Sequence, residues 1–232
     1  MIQSIERHLG LSSLASMKIA LLLIFAYLLG SIPTSYIVAR WIQGIDLRRY
    51  GSGTVSGSML YEHTQRWLIV PAGLFDIFKA FLPTWLALRL GYGDLAAVAA
   101  GAAAIIGHNW PIYLGFTGGR GLSTFLGAML AIYPWGDLWL LLFWGAGFAL
   151  GDSAPFALAS FLLFPLLVYF TGAPTALYWL CAAMLIITLA KRVEANHRPL
   201  PEEQPERRRV ILRRLFFDRD IQNHKAWIHR HA

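Results

Sequence analysis

The residues best equipped for chemistry lie in one run, 107–121, where Gly107, His108, Asn109, Trp110 and Pro111 lead into Gly118, Gly119, Arg120 and Gly121. An imidazole can hold or move a proton near neutral pH. Glycines let backbone N–H groups turn toward an anion, and a helix that starts just after them adds the positive end of its dipole. The run therefore reads as a phosphate cradle beside a base; the plainer reading of His108 is a histidine that hydrogen-bonds a neighbouring helix. A second glycine-rich stretch holds Arg48, Arg49, Gly51, Ser52 and Gly53, with Thr54, Ser56, Gly57 and Ser58 behind it. Guanidinium groups there suit bidentate contact with phosphate oxygens, although Gly and Ser also fill ordinary loops. Asp76 and Lys79, three residues apart, share a helix face and can pair. Glu194 and Asn196 follow the last apolar run and can join that pair. Ser31 sits in Gly-Ser-Ile-Pro-Thr-Ser at 30–35, an interruption that either kinks a helix or frees backbone groups for a cavity to satisfy. The seven histidines and one cysteine offer no zinc-type spacing, and Walker, nucleophile-elbow and dinucleotide signatures are missing. No metal and no cofactor are expected. A cationic, glycine-lined site set in lipid suits anionic headgroup substrates and a reaction driven by positioning and charge stabilisation.

The elements that must position these residues are membrane helices. Of 232 residues, 56% are hydrophobic and 14% charged, against about a quarter charged in soluble domains. A crossing needs about 20 helical residues. Apolar stretches at 20–39, 67–88, 95–112, 122–133, 139–150, 155–170 and 175–190 predict an all-α polytopic bundle of seven transmembrane helices, the short ones tilted or half-crossing. It is one bundle, expected as a monomer, and the lone Cys181 has no disulfide partner. The first apolar run is too long for a cleavable signal. Seven crossings place the loop at 40–66, the turns near 120 and 152 and the tail on one side. That side carries Arg40, Arg48, Arg49, Arg66 and Arg120, so an N-out, C-in topology follows with the site facing the cytoplasm. Eleven of the twenty Lys and Arg fall at or after Lys191, where they would meet anionic headgroups. Nothing resembles a nucleic-acid recognition module, and no internal repeat supports a two-halved transporter. The expected organisation is an N-terminal segment 1–19, a membrane domain 20–197 and a basic tail 198–232. Within the tail, 207–228 reads either as a helix in the membrane interface or as an anchor with no part in chemistry.

Taken in order, Gly-Ser-Ile-Pro-Thr-Ser-Tyr at 30–36, Arg-Arg-Tyr-Gly-Ser-Gly at 48–53, Asp76 with Lys79, and Gly-His-Asn-Trp-Pro at 107–111 resemble a known family. It is that of the bacterial membrane-embedded glycerol-3-phosphate acyltransferases that use acyl phosphate, the PlsY family, and the likeness covers about residues 29 to 194. The resemblance implies a seven-helix fold in the bacterial inner membrane, with membrane lipids around it and acyl phosphate and glycerol 3-phosphate as partners. It also implies acyl transfer to the 1-hydroxyl of glycerol 3-phosphate, giving lysophosphatidic acid for phospholipid synthesis. By the same likeness His108, Ser31 and Arg48 are the catalytic group. Ser52, Gly51, Gly53, Lys79, Gly118, Gly119, Arg120, Gly121, Glu194 and Asn196 bind the phosphorylated substrates. The sequence departs from the family pattern where Thr54 and the run Gly57-Ser58-Met59-Leu60 lose two asparagines, where Thr117 replaces a lysine, and where Ala195 follows Glu194. These changes gather in the acceptor site. They leave open acylation of another acceptor, or a non-catalytic lipid-binding or scaffold role.

Overall fold

The computed structural model describes residues 13–51, 53–223 and 226–227. Most of the expected N-terminal segment, Ser52 and the far end of the tail lie outside the described residues. Ten α-helices follow one another among those described: α1 Ser13–Gly30, α2 Thr34–Gln43, α3 Gly57–His63, α4 Ile69–Arg89, α5 Asp94–Asn109, α6 Leu122–Ile132, α7 Pro134–Ala149, α8 Ser153–Thr171, α9 Ala176–Glu194 and α10 Gln204–Phe217. Their ends obey local chemistry. Pro33 has no N–H and separates α1 from α2. Gly44 at φ 70° ends α2, and the Asp152 carboxylate accepts from the Ala154 N–H at the start of α8. α7 begins at Pro134, five residues before the expected 139, because proline at the first helical position has no donor to lose. Tyr133 and Pro134 thus join α6 to α7 with almost no loop.

Each of the seven expected stretches contains a helix, but length separates them. Leu14–Gln43, Arg66–Arg89, Asp94–Leu114, Ser153–Thr171 and Ala176–Glu194 are long and apolar enough to cross a membrane. α6 and α7 hold 11 and 16 residues, short of the ~20 that a straight crossing needs. The outward surface is apolar, with Leu21, Phe148, Phe170, Trp179 and Ile186 all exposed, as a lipid solvent favours.

Small residues set the packing. A Cβ on Gly30 would lie 2.2 Å from the Ala104 carbonyl oxygen, and one on Gly107 would lie 2.2 Å from that of Tyr27. α1 and α5 therefore cross backbone to backbone, a device of helices that associate in lipid. Gly127 of α6 meets the Ile77 carbonyl of α4 in the same way. The main core joins Ala97, Ala100 and Ala104 of α5 to Phe125, Phe161, Leu177 and Met184. A second cluster, Ala39, Leu47, Val55, Met59, Leu60, Leu68 and Ala72, takes in Trp227 from the tail. The tail helix differs from its expected bounds: α10 starts at Gln204 and stops at Phe217, where Asp218 turns to φ 56°. Beyond it the chain folds back onto the bundle.

Candidate active site

The break after α1 explains the buried charges of α4. The Ile32 carbonyl, left inside by the break, accepts from Lys79 Nζ at 3.1 Å. Lys79 also lies 2.8 Å from Asp76 Oδ1, one turn earlier, and both side chains are shut from solvent. The same carboxylate oxygen accepts from Thr34 Oγ1 at 3.2 Å and stands 3.6 Å from His108 Nδ1. A buried ion pair survives only when its remaining polar capacity is filled, and here Ile32, Thr34 and His108 supply the partners. Ser31 is buried on the other side of the break, its hydroxyl donating to the Tyr27 carbonyl at 2.8 Å.

His108 ends α5, and the glycine turn folds back on it. The Gly119 N–H donates to the His108 carbonyl at 3.1 Å, and a Cβ on Gly119 would fall 2.1 Å from His108 Nε2. Only glycine lets the turn lie against the imidazole. Gly118 is as crowded, its missing Cβ facing the His108 and Asn109 carbonyls. Its own carbonyl accepts from the Val55 N–H at 3.1 Å and from Asn196 Nδ2 at 3.2 Å. Asn196 Nδ2 also donates to the Gly53 carbonyl at 2.9 Å, so one amide holds both glycine loops together. It is aimed by three successive left-handed residues, Ala195, Asn196 and His197, at φ 44°, 51° and 67°. Such a conformation costs roughly 1–2 kcal/mol per non-glycine residue, and the clamp of both loops offsets it.

Arg120 completes the turn. Its Nε donates to Asp218 Oδ2 at 2.9 Å, its Nη2 lies 2.8 Å from Asp218 Oδ1, and its Nη1 donates to the Lys191 carbonyl at 2.8 Å. Glu194 faces Lys191 at 2.9 Å and accepts from Trp110 Nε1 at 3.3 Å, while Lys191 Nζ lies over the Trp110 ring. Arg48 stands apart, more exposed, with Nε and Nη2 on the two oxygens of Asp46 and its guanidinium over Tyr36. The Arg48 hydrogen bond holds the Asp46 carboxyl below its ordinary pKa.

Of these groups His108, Arg120 and Asp218 line a cavity of about 660 Å³. One wall carries His108, Arg120 and Gly121, a second the hydroxyls of Thr54, Ser56 and Ser58. Leu122, Leu126, Trp144 and Phe148 form an apolar side, and Phe217, Asp218, Arg219 and Trp227 close the outer face. A space with polar groups at one end and an apolar flank can hold a headgroup and the start of an acyl chain together. Of the expected site residues, the structure puts His108, Arg120 and Gly121 on the cavity. Lys79, Gly118, Gly119, Glu194 and Asn196 stand behind it as supports, as does Gly53, whose carbonyl Asn196 clamps. Ser31, Arg48 and Gly51 lie off it, and Ser52 falls outside the described residues. Among the described residues no group of three or more His, Cys, Asp or Glu could hold a metal ion.

Thr34 lies in the marked run 30–35 and Asp46 opens the glycine-rich stretch before Arg48, though neither is among the expected site residues; Asp218 and Arg219 escape sequence reasoning altogether. Asp46 carried a signal, standing two residues before Arg48 in an Asx-type turn. Asp218 and Arg219 carried none, since their partners are distant in the chain.

Membrane-length helices around a buried Asp–Lys–His cluster, with His108 on a largely apolar cavity that carries polar groups as well, define a polytopic α-helical membrane protein with a site for an amphiphile. The sequence profile of the glycerol-3-phosphate acyltransferase family matches residues 20–200, and the chain belongs to that family, the PlsY family. It is 31% identical over 226 residues to glycerol-3-phosphate acyltransferase 5 of Dehalococcoides mccartyi, covering 94% of this chain and 95% of that one. With glycerol-3-phosphate acyltransferase 2 of Moorella thermoacetica it shares 39% identity over 176 residues, 71% of this chain and 86% of the relative. The crystal structure of PlsY (YgiH), an integral membrane glycerol 3-phosphate acyltransferase, in its glycerol 3-phosphate form, superposes with a TM-score of 0.70 at 27% identity. It covers 78% of this chain and 91% of that one.

Proposed function

We propose that this protein acylates the 1-hydroxyl of glycerol 3-phosphate, with acyl phosphate as donor, and releases lysophosphatidic acid and inorganic phosphate. The relatives named as glycerol-3-phosphate acyltransferases support the acceptor. The observation that carries the reading is the seating of His108 between Asp76 and the glycine turn, on a cavity that offers both a cation and an apolar side. Asp76 beside Nδ1 favours the tautomer that leaves a lone pair on Nε2. Nε2 then takes the proton of the acceptor hydroxyl as its oxygen attacks the acyl carbon. The carbon–oxygen bond to phosphate breaks, and the proton ends on the departing phosphate. Acyl phosphate is a mixed anhydride with a good leaving group, so a modest base suffices. Arg120 and the backbone N–H groups at Arg120 and Gly121, on the cavity, offset phosphate charge, the Gly119 N–H being held by the His108 carbonyl. Arg48 and Ser31 lie off the cavity and take no direct part in this step.

The seven-crossing, N-out and C-in arrangement in a bacterial inner membrane, with the cavity toward the cytoplasm, accords with this reading. The tail then lies at the inner surface, α10 in the interface with Arg207, Arg208 and Arg209 exposed toward headgroups.

The test is acyl transfer by the purified protein in lipid bilayers, with labelled glycerol 3-phosphate and palmitoyl phosphate, palmitoyl-CoA or acyl carrier protein thioester. Lysophosphatidic acid is expected from the acyl phosphate alone and to vanish in His108→Ala. Product from a thioester alone would refute the donor, and undiminished product from His108→Ala would refute the base.

A further inference from the structure

Arg120 is the one cation in the run Phe116-Thr117-Gly118-Gly119-Arg120-Gly121, and one of the two residues that hold it, Asp218, lies beyond the family-matched region. We propose that Asp218 is a positioning residue: it holds the Arg120 guanidinium at the angle needed to receive a substrate phosphate, so that the segment after α10 completes the phosphate subsite. The inference rests on the proposed acyltransfer function and deepens it.

Three nitrogens of Arg120 are engaged, two by Asp218 and one by the Lys191 carbonyl. A guanidinium has five N–H groups in a rigid fork, so each terminal nitrogen keeps a hydrogen for an anion. Arginine has a long, rotatable stem, and a fixed carboxylate removes most of its alternatives before substrate arrives. Asp218 is itself fixed. It caps α10 with its N–H on the Arg214 carbonyl. Arg214, 2% exposed, donates to the carbonyls of Val193, Arg198 and Pro199 and pairs with Asp220 at 2.7 Å. On the other side Arg219 reaches Asp152, in the turn between α7 and α8, at 2.7 Å. Further on, Trp227 is buried in the cluster formed by α2, α3 and the start of α4. The segment is thus tied down on both sides of the cavity mouth, and the aspartate it carries across meets the arginine of the glycine turn.

The experiment uses the full chain in bilayers and varies glycerol 3-phosphate and acyl phosphate separately. Asp218→Ala is expected to raise KM about tenfold for the substrate whose phosphate meets Arg120, with kcat and the KM of the other substrate changing less than about threefold. Asp218→Asn, which keeps the shape and one acceptor, should fall between and serves if the alanine variant does not fold. In an Arg120→Ala background Asp218→Ala should add nothing, the non-additivity of two groups that act as one. Calorimetric binding of glycerol 3-phosphate and of inorganic phosphate reads the same contact without turnover and should weaken in step. Unchanged KM and affinity would overturn the inference. A fall in KM would overturn it too, since Asp218 would then be an anion competing for Arg120. Equal rises for both substrates with loss of kcat would mark general distortion and count against it. A wild-type protein that binds these phosphates but transfers no acyl group would sink the functional reading alone. The Asp218 result would then be read from binding.

Discussion

At the scale of single residues, the site depends on contacts too close for any added atom. The imidazole of His108 rests against the backbone of Gly119, where a methyl group would sit 2.1 Å from Nε2. Gly119→Ala must therefore push the ring away or unseat the turn. A displacement near 1 Å at a reacting group costs about 10²-fold in rate, so acyl transfer by folded Gly119→Ala should fall by that order. A variant with undiminished activity would show that Nε2 need not stay where it is. His108 and the turn beside it were legible because histidine and arginine are scarce in apolar helices, and here both stand among a dense set of glycines within fifteen positions. The partners of His108 were legible only in part. Asp76 and Lys79 stood out as charges in an apolar run, but Thr34 and the Ile32 carbonyl join them through a chain break whose geometry no spacing rule gives.

At the scale of elements, the crossing of α1 and α5 decides whether the break at 31–33 faces the charges of α4. Gly30 and Gly107 let the two backbones touch at consecutive points. Gly30→Ala forces a Cβ into the Ala104 carbonyl and should cost about 1–3 kcal/mol, the range for overpacking a tight interface. Thermal unfolding in a bilayer mimetic checks this, and an unshifted transition would mean the helices separate at no cost. The helices were readable as apolar runs with few charges. Their ends were less so: α7 starts at Pro134 and α10 stops at Phe217, because proline tolerance and a left-handed cap act locally where hydropathy is averaged. The small residues of α5 permit close packing, and the identity of the neighbour comes only from the fold.

At the scale of the whole molecule, the loops at 44–56, the turns at 118–121 and 150–152 and the tail meet at one end, tied by Asn196, by Arg120 with Asp218, and by Asp152 with Arg219. The expectation of seven crossings puts the loop at 40–66, the turns near 120 and 152 and the tail on one side, and their arginines assign that side to the cytoplasm. The lengths of α6 and α7 make the link at Tyr133 the informative place to probe. With seven crossings, a single cysteine replacing Tyr133 should react with an impermeant thiol reagent from outside the cell, and one replacing Gln204 only after the membrane is opened. Cys181 is buried, which keeps the background low. Protection of position 133 from outside would leave α6 and α7 as a hairpin that does not cross. The tail's place over the cavity had no forerunner in its composition, since a run of arginines says where charge is and not which distant carboxylate or carbonyl it will find. The closing wall at 217–219 has a consequence for biogenesis. Those residues follow every membrane helix in the chain, so the base, the glycine turn and the Lys191 carbonyl that holds one arm of Arg120 are all made before the carboxylate that holds the other.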